Sequence, residues 1–171
     1  VAALGVDPVP DAFHARYSAL GKSYIYKIWN APYMDPFLRG RAYHCPGLLD
    51  LSAMREAARA FLGAHDFRAF MASGSSVTDT VREIFRLDAE ADGPLVTVFV
   101  AGSGFLYRMV RSIAGTLLDT ARGRISPQAV PALIQNGDRS AVGMTLPACG
   151  LYFNEAYYEK EQIDKLLISP H

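Results

Sequence analysis

Residues Lys22 to Trp29 read KSYIYKIW, and the alternation of their side chains predicts a β-strand. Tyr24, Tyr26 and Ile28 fall on one face of this strand. Apolar side chains alternate onto the other face as well, so we expect the strand to be buried on both sides. The stretch Asn30 to Pro32, which favours a turn, ends it.

The rest of the sequence predicts helices, a β-hairpin and a final strand. The predicted elements are a helix from Asp50 or Ser52 to Gly63, hairpin strands Val81 to Ala91 and Leu95 to Ala101, a helix capped by Ser103 and stopped by Gly123, a helix from Ser126 to Asn136, a strand Leu151 to Tyr158 and a short polar helix after Glu159. This order is typical of an α+β fold, with helices on one face of a mainly antiparallel sheet. The other face is then free for a ligand or partner. Neither a repeat nor a linker interrupts residues 1–171, which indicates a single domain.

The composition excludes several classes of protein. Half of the 171 residues are hydrophobic and 20% are charged, which excludes disorder. No apolar run reaches the roughly eighteen residues that a membrane span needs. Cys45 and Cys149 lie far apart, and the four histidines show no ligand spacing, so we expect neither a disulfide nor a metal site, and a cytoplasmic setting. The motifs of serine hydrolases, zinc proteases and nucleotide-binding loops are absent from the sequence.

The charges balance overall but are unevenly distributed. The chain has 17 Lys and Arg against 17 Asp and Glu. Residues 13–44 carry Arg16, Lys22, Lys27, Arg39 and Arg41 against Asp35 alone, and residues 102–124 are also rich in arginine. The acidic residues concentrate elsewhere, which predicts a polarised surface. Ordinary solvated faces would give the same pattern.

The predicted helix after Ser103 has a face that could carry chemistry. Its polar face is formed by Arg108, Arg111, Ser112, Gly115 and Asp119. Gly115 lets another backbone or a flat ligand approach closely, which places Arg111 at a contact. A solvated arginine face with a simple helix–helix contact at Gly115 is the alternative. Likewise, Tyr24 and Tyr26 are either a platform for stacking bases or ordinary half-buried strand residues.

Five motifs occur in order over Phe13 to Tyr158. They are FHARYSALGKSYIYKI, LGAHDFRAF, SSVTDTVREI, GSGFLYRMVRSIAGTL and PACGLYF. Together they resemble the second half of the tRNA pseudouridine synthase A (TruA) family. The resemblance implies an isomerase that converts uridine to pseudouridine in the anticodon stem-loop of tRNA. It also implies that no metal or organic cofactor is needed and that the protein is a homodimer.

The resemblance also implies roles for individual residues. Tyr24 matches the tyrosine that packs on the target base, and Leu151 matches the leucine that lines the base pocket. Arg111 matches the arginine that pairs with the catalytic aspartate. Arg16, Lys22 and Arg108 are our candidates for contacts with RNA phosphates, because cations beside a cleft supply sequence-independent affinity.

One part of the family's pattern is missing. The catalytic aspartate belongs to an R-T-D-x-G-V-H-A motif, and no stretch of this sequence matches it. Asp66 and Asp79 lack its flanking residues. The chain also begins at Val1 without methionine, so we expect a C-terminal half that is inactive alone. Ser103 and Ser112 stand where many relatives have asparagine, so no role is transferred to them.

Three other functions agree with the same residues. The chain could be a free-standing RNA-binding module whose tyrosines stack on single-stranded bases without catalysis. It could belong to a pseudouridine synthase that acts on another RNA. It could also serve as an oligomerisation unit.

Overall fold

A computed structural model describes residues 2–3, 5–74 and 76–168, with the side chain of Ile168 excepted. Val1 and His171, which enter the expectations above, lie outside the described residues. The strands are β1 Gly21–Trp29, β2 Tyr43–His44, β3 Gly63–Asp66, β4 Val81–Asp92, β5 Leu95–Gly102 and β6 Leu151–Tyr157. The helices are α1 Leu51–Arg59, α2 Met109–Ala121, α3 Val130–Asn136 and α4 Lys160–Ile168. The α+β class predicted from the sequence is confirmed.

Strand β1 lies in the middle of the sheet. In the described residues the strand order is β2-β1-β5-β4-β3, and β6 also pairs with β1. The β1–β5, β1–β6, β3–β4 and β4–β5 pairings are antiparallel, whereas the two residues of β2 run parallel to β1. Tyr24 is opposite Val100 on β5 and Phe153 on β6.

The core lies between one face of the sheet and helices α1 to α3. Tyr26 and Ile28 on β1 are fully buried, with the aligned Val98 and Val96 of β5 beside them. Ile25 and Lys27 on the other face are only half-buried. The prediction that β1 is buried on both sides therefore holds for part of each face, since Tyr26 and Ile28 are buried on one face and Gly21 and Ser23 on the other.

Local signals placed several element ends correctly. The Asp50 carboxylate accepts hydrogen bonds from Ser52 N and Ala53 N at the start of α1. Gly93 turns the β4–β5 hairpin with φ 54°, and Gly137 ends α3 with φ 68°. These positive values favour glycine, because a Cβ would be strained there.

Four predicted features differ in the structure. Helix α1 ends at Arg59, and Gly63, which is predicted to stop this helix, instead begins the edge strand β3. The Ser126 side chain caps no helix N–H, and a 3-10 turn precedes α3. The second sheet face is not wholly free: Ile163 of α4 lies 3.6 Å from where a Cβ of Gly21 would be.

The start of α2 is the fourth difference and the one that shapes the site. The helix begins at Met109, not near Gly104. The Ser103 hydroxyl accepts a hydrogen bond from Glu83 N on β4, at 3.1 Å, and not from a helix N–H. Phe105 packs on Tyr24 and Leu106 is buried, and these tertiary contacts hold residues 103–108 as a loop.

Candidate active site

Four of the six predicted site residues line one cavity of about 230 Å³. Tyr24 comes from β1 and Leu151 from the first position of β6, while Arg108 immediately precedes α2 and Arg111 lies in its first turn. The loop before α2 forms the rest of the wall with Phe105 to Tyr107. Residues that are far apart in the sequence therefore meet where β1 lies beside both β5 and β6.

Tyr24 forms an aromatic wall of this cavity. The edge-on ring of Phe105 has its centroid 5.3 Å from that of Tyr24, and that of Phe153 lies 5.6 Å away on the other strand. Such T-shaped contacts hold a ring in a defined orientation. Burial raises the pKa of the Tyr24 hydroxyl above its ordinary value of 10.0, because removal from water disfavours the charged form. Tyr24 therefore presents a neutral phenol.

The backbone of Leu146 holds both the side chain and the backbone of Arg111. The Arg111 Nε–H donates to Leu146 O, and Leu146 N–H donates to Arg111 O at 3.2 Å. No described residue accepts a hydrogen bond from the terminal nitrogens of Arg111, and none of the carboxylates in the described ranges pairs with it within 4.0 Å. The guanidinium is thus held at the cavity wall with its terminal donors available.

The segment that holds Arg111 crosses α2 at two glycines. We call residues 142–147 the strap. A Cβ on Gly115 would lie 1.8 Å from Met144 O, and one on Gly143 would lie 2.5 Å from Thr116 N. Both distances exclude a side chain without backbone movement. The predicted close approach at Gly115 is therefore confirmed, although the approaching group is the strap.

The predicted polar face of α2 is wrong in its extent. Ser112 is fully buried, and its hydroxyl lies 3.0 Å from Thr145 Oγ1 of the strap. Gly115 is covered by Met144. The strap buries most of the face that the sequence pattern assigned to solvent, and Arg111 keeps partial access only at its edge.

Arg108 precedes α2 and adopts an unusual backbone conformation. Its φ of 59° makes it the one described residue other than glycine with a positive φ. Its guanidinium carbon lies 4.8 Å from the ring centroid of Tyr107, and the side chain is exposed. Because a left-handed arginine is strained, the loop around it must hold it there, which is common at functional sites.

Arg16 and Lys22 do not line the cavity. Arg16 is exposed, with its guanidinium carbon 5.7 Å from the ring centroid of Tyr17. Lys22 is half-buried on β1, opposite Gly102, and lies on the same strand face as Tyr24. Their assignment to RNA phosphates stays a prediction.

Two acids that could replace a missing nucleophile are engaged elsewhere. Asp66 accepts a hydrogen bond from the Thr80 hydroxyl at 2.6 Å, which is the main reason that its pKa is lowered. Asp79 lies 3.9 Å from Arg82. Neither lines the cavity.

Sequence reasoning missed the residues that orient the predicted ones. The sequence pattern places Phe105 on a helix and gives Phe153 and Leu146 no role in the site. The phenylalanine after GSG and the one after GLY are apolar positions in segments that must run close to Tyr24, which is a usable but weak signal. No local pattern indicates that Leu146 contacts Arg111.

Two other features are absent from the described ranges, residues 2–3, 5–74 and 76–168. Within these ranges, no group of three or more His, Cys, Asp or Glu side chains could hold a metal ion. None of the helices in the described part of the chain is long and apolar enough to cross a membrane.

The sheet, with α1 to α3 on one face, and the cavity of aromatic and arginine residues define an α+β protein with a pocket suited to a flat ligand. Residues 57–159 match the family model described as tRNA pseudouridine synthase. The chain therefore belongs to this family.

Curated relatives extend the match beyond the family model. The chain is 45% identical over 149 residues to tRNA pseudouridine synthase A of Bacillus subtilis, covering 87% of this chain and 60% of the relative. It is 43% identical over 153 residues to tRNA pseudouridine synthase A of Ruminiclostridium cellulolyticum, covering 89% and 62%. For tRNA pseudouridine synthase A of Acetivibrio thermocellus, identity is 46% over 146 residues, covering 85% and 60%. The chain thus spans about three fifths of the length of these relatives.

The protonation state of Tyr24 gives a testable prediction. In a spectrophotometric pH titration, the difference between the unaltered protein and Tyr24→Phe isolates one phenol. We expect this phenol to ionise only above pH 10, because burial raises its pKa from 10.0. The free energy of unfolding then begins to fall above pH 10, where the unfolded chain ionises first. Ionisation at or below pH 10 in the difference titration would contradict the burial of Tyr24.

Proposed function

We propose that the chain is the part of a tRNA pseudouridine synthase that supplies the base pocket and the arginine partner of the catalytic carboxylate. The observation that carries this proposal is that Tyr24, Arg111 and Leu151 line the same cavity. The reaction breaks the bond between uracil N1 and the ribose, turns the base and joins C5 to the ribose, while C5 loses a proton to solvent and N1 gains one. The atoms of uridine are conserved, so no external redox partner is required.

Tyr24 and Leu151 are the proposed walls for the uracil. A base that leaves its helical stack needs flat apolar surfaces in exchange. The phenol ring of Tyr24 supplies one, held at its edges by Phe105 and Phe153. Leu151 is opposite Tyr26 on β1, so it lies beside Tyr24 at the mouth of the same cavity.

Arg111 is the proposed partner of the catalytic carboxylate. Its Nε–H is used by Leu146 O, which leaves the two terminal nitrogens to donate to both oxygens of one carboxylate. A guanidinium within hydrogen-bonding distance of a carboxylate favours its ionised form and lowers its pKa. The carboxylate is therefore a nucleophile or base at neutral pH.

The carboxylate itself is proposed to come from a segment that precedes this chain in the complete protein. The experiment measures tritium release from tRNA labelled at uridine C5. It compares this chain alone with the chain joined to the N-terminal segment of a relative that contains the R-T-D motif. We expect release from the joined protein only. Release from neither would contradict the proposal and favour an RNA-binding module, and release from the chain alone would point to Asp66 or Asp79.

The target and the assembly are further parts of the proposal. We infer that the substrate is uridine in the anticodon stem-loop, as in the family's characteristic reaction, and that the protein acts as a homodimer in the cytoplasm. Mapping of pseudouridine in treated tRNA tests the first inference. Light scattering of the joined protein tests the second, and a monomeric mass would contradict it.

A further inference from the structure

The structure has a second cavity beside the candidate active site, of about 590 Å³. It lies between the loop around Gly40 and the start of β6. Leu151 lines both this cavity and the one that contains Tyr24 and Arg111. The two cavities therefore adjoin at this side chain, although Tyr24 and Lys27 lie on opposite faces of β1, so a ligand that reaches from the first into the second passes round the start of β6.

Two cations line this second cavity, and a third lies on the loop that borders it. Lys27 and Arg41 line it, and Arg39 lies exposed on the same loop. None of the three forms an ion pair within 4.0 Å among the described residues. The acid of this loop, Asp35, accepts a hydrogen bond from Phe37 N at 2.8 Å and caps the turn. The surface thus has more positive than negative charge, although the whole chain is neutral.

Tyr152 contacts the Lys27 side chain and the backbone of Arg41. The Lys27 Nζ lies 4.7 Å from the centroid of the Tyr152 ring. The hydroxyl of Tyr152 donates to Arg41 O at 2.6 Å, which ties the loop to β6. The aromatic ring restricts the Lys27 side chain, and the hydrogen bond restricts the loop. Less conformational entropy of these groups is then lost when a ligand binds.

We propose that Lys27, Arg39 and Arg41, supported by Tyr152, bind phosphates of the RNA strand that adjoins the target uridine. We call these four residues the phosphate patch. The proposal rests on the proposed function, since it assigns a contact for the same substrate. Cations without acidic partners are suited to phosphate oxygens, and their contribution does not depend on sequence.

The surface also favours a nucleic-acid strand over free phosphate. Phe37, on the turn that contributes Leu38 to the cavity, is 87% exposed. Proteins that bind single-stranded RNA combine exposed aromatic rings with cations, because the bases stack on the rings while the phosphates pair with Lys and Arg. A strand entering the cavity at Leu151 would pass from the base pocket to these groups.

The test uses the complete protein with Lys27→Gln and Arg41→Gln combined. These changes remove two charges but keep side chains of similar length. We expect tRNA affinity to fall about tenfold near ~200 mM salt, and the slope of log affinity against log salt to lessen by about 1.4, for two single-strand phosphate contacts. We also expect KM to rise with kcat unchanged, because the lost contacts are equal in the ground and transition states.

A matched control removes the same charge elsewhere. Arg59→Gln with Lys160→Gln changes two exposed cations at α1 and α4, away from both cavities. We expect this double variant to keep the salt slope of the unaltered protein. Thermal unfolding of both double variants shows whether each is folded.

The outcomes separate this proposal from the proposed function. If the unaltered complete protein forms no pseudouridine, the proposed function fails. If it does, but the Lys27 and Arg41 variant keeps its salt slope and KM, the phosphate patch is wrong. A lower affinity with an unchanged salt slope also overturns the patch, because the lost contact is then not ionic. An equal loss in the control double variant overturns it too, since the effect would reflect net charge alone.

Discussion

Arg111→Gln in the complete protein is expected to lower the rate of pseudouridine formation by about 10²- to 10⁴-fold, because breaking a buried ion pair costs about 3–5 kcal/mol. Glutamine has no charge with which to hold the partner carboxylate ionised. The acid limb of the pH–rate profile should move to higher pH by about 1–3 units, because the arginine no longer lowers the pKa of that carboxylate. Single-turnover tritium release at saturating tRNA measures both effects.

Two further variants sharpen this prediction. Arg111→Lys should restore little activity, since lysine lacks the planar fork that can donate to Leu146 O and to a carboxylate together. Arg124→Gln is the matched control: its guanidinium pairs with Asp119 at 3.1 Å near the other end of α2, and it should leave the rate unchanged. A rate for Arg111→Gln within about tenfold of the unaltered protein, equal to about 1.4 kcal/mol, would contradict a pairing role.

Gly115→Ala is expected to destabilise the protein by about 3 kcal/mol, at the upper end of the usual cost of overpacking. In an exposed helix, alanine would instead stabilise by up to about 1 kcal/mol. The sign reverses here because the new Cβ would lie 1.8 Å from Met144 O, a backbone atom that moves only with the strap. Urea unfolding measures the change in free energy.

Activity should fall further than the loss of stability explains. If the strap is displaced, Leu146 O no longer accepts from Arg111 Nε, so the guanidinium loses its orientation. Gly143→Ala, which meets the backbone of Thr116 from the other side, should behave alike. Gly104→Ala is the control, because its nearest contact would be the flexible side chain of Arg82 at an ordinary 3.4 Å. Equal unfolding free energies for Gly115→Ala and Gly104→Ala would refute the steric argument.

The fold was predictable where neighbouring residues decide it. The alternation in KSYIYKIW, the turn at Gly93 and the cap at Asp50 act within a few residues, and each prediction is confirmed. The loop before α2 was not predictable in the same way. Its helical spacing of apolar residues is real, but Phe105 packs on Tyr24, some eighty positions earlier, and this contact competes with the helix.

In the candidate site too, some residues were predictable from the sequence and others were not. Tyr24, Arg111 and Leu151 were named from motif resemblance, and the structure brings them to one cavity. Their supporting contacts were not foreseen, because the strap meets α2 through backbone atoms. Any residue type at position 146 has a backbone carbonyl that could accept from Arg111, so the residue identity there does not indicate this contact. The sequence shows only the two glycines that make room for the crossing.

The central position of β1 has a consequence for synthesis of the chain. Its two long neighbours, β5 and β6, begin at Leu95 and Leu151. On the ribosome, the Tyr24 strand therefore emerges long before either partner, and among its partners in the described residues the two-residue β2 alone follows it closely. Such non-local pairing folds slowly and leaves an unpaired strand edge exposed to other chains. Aggregation during expression should accordingly be most severe for truncations that end before β5.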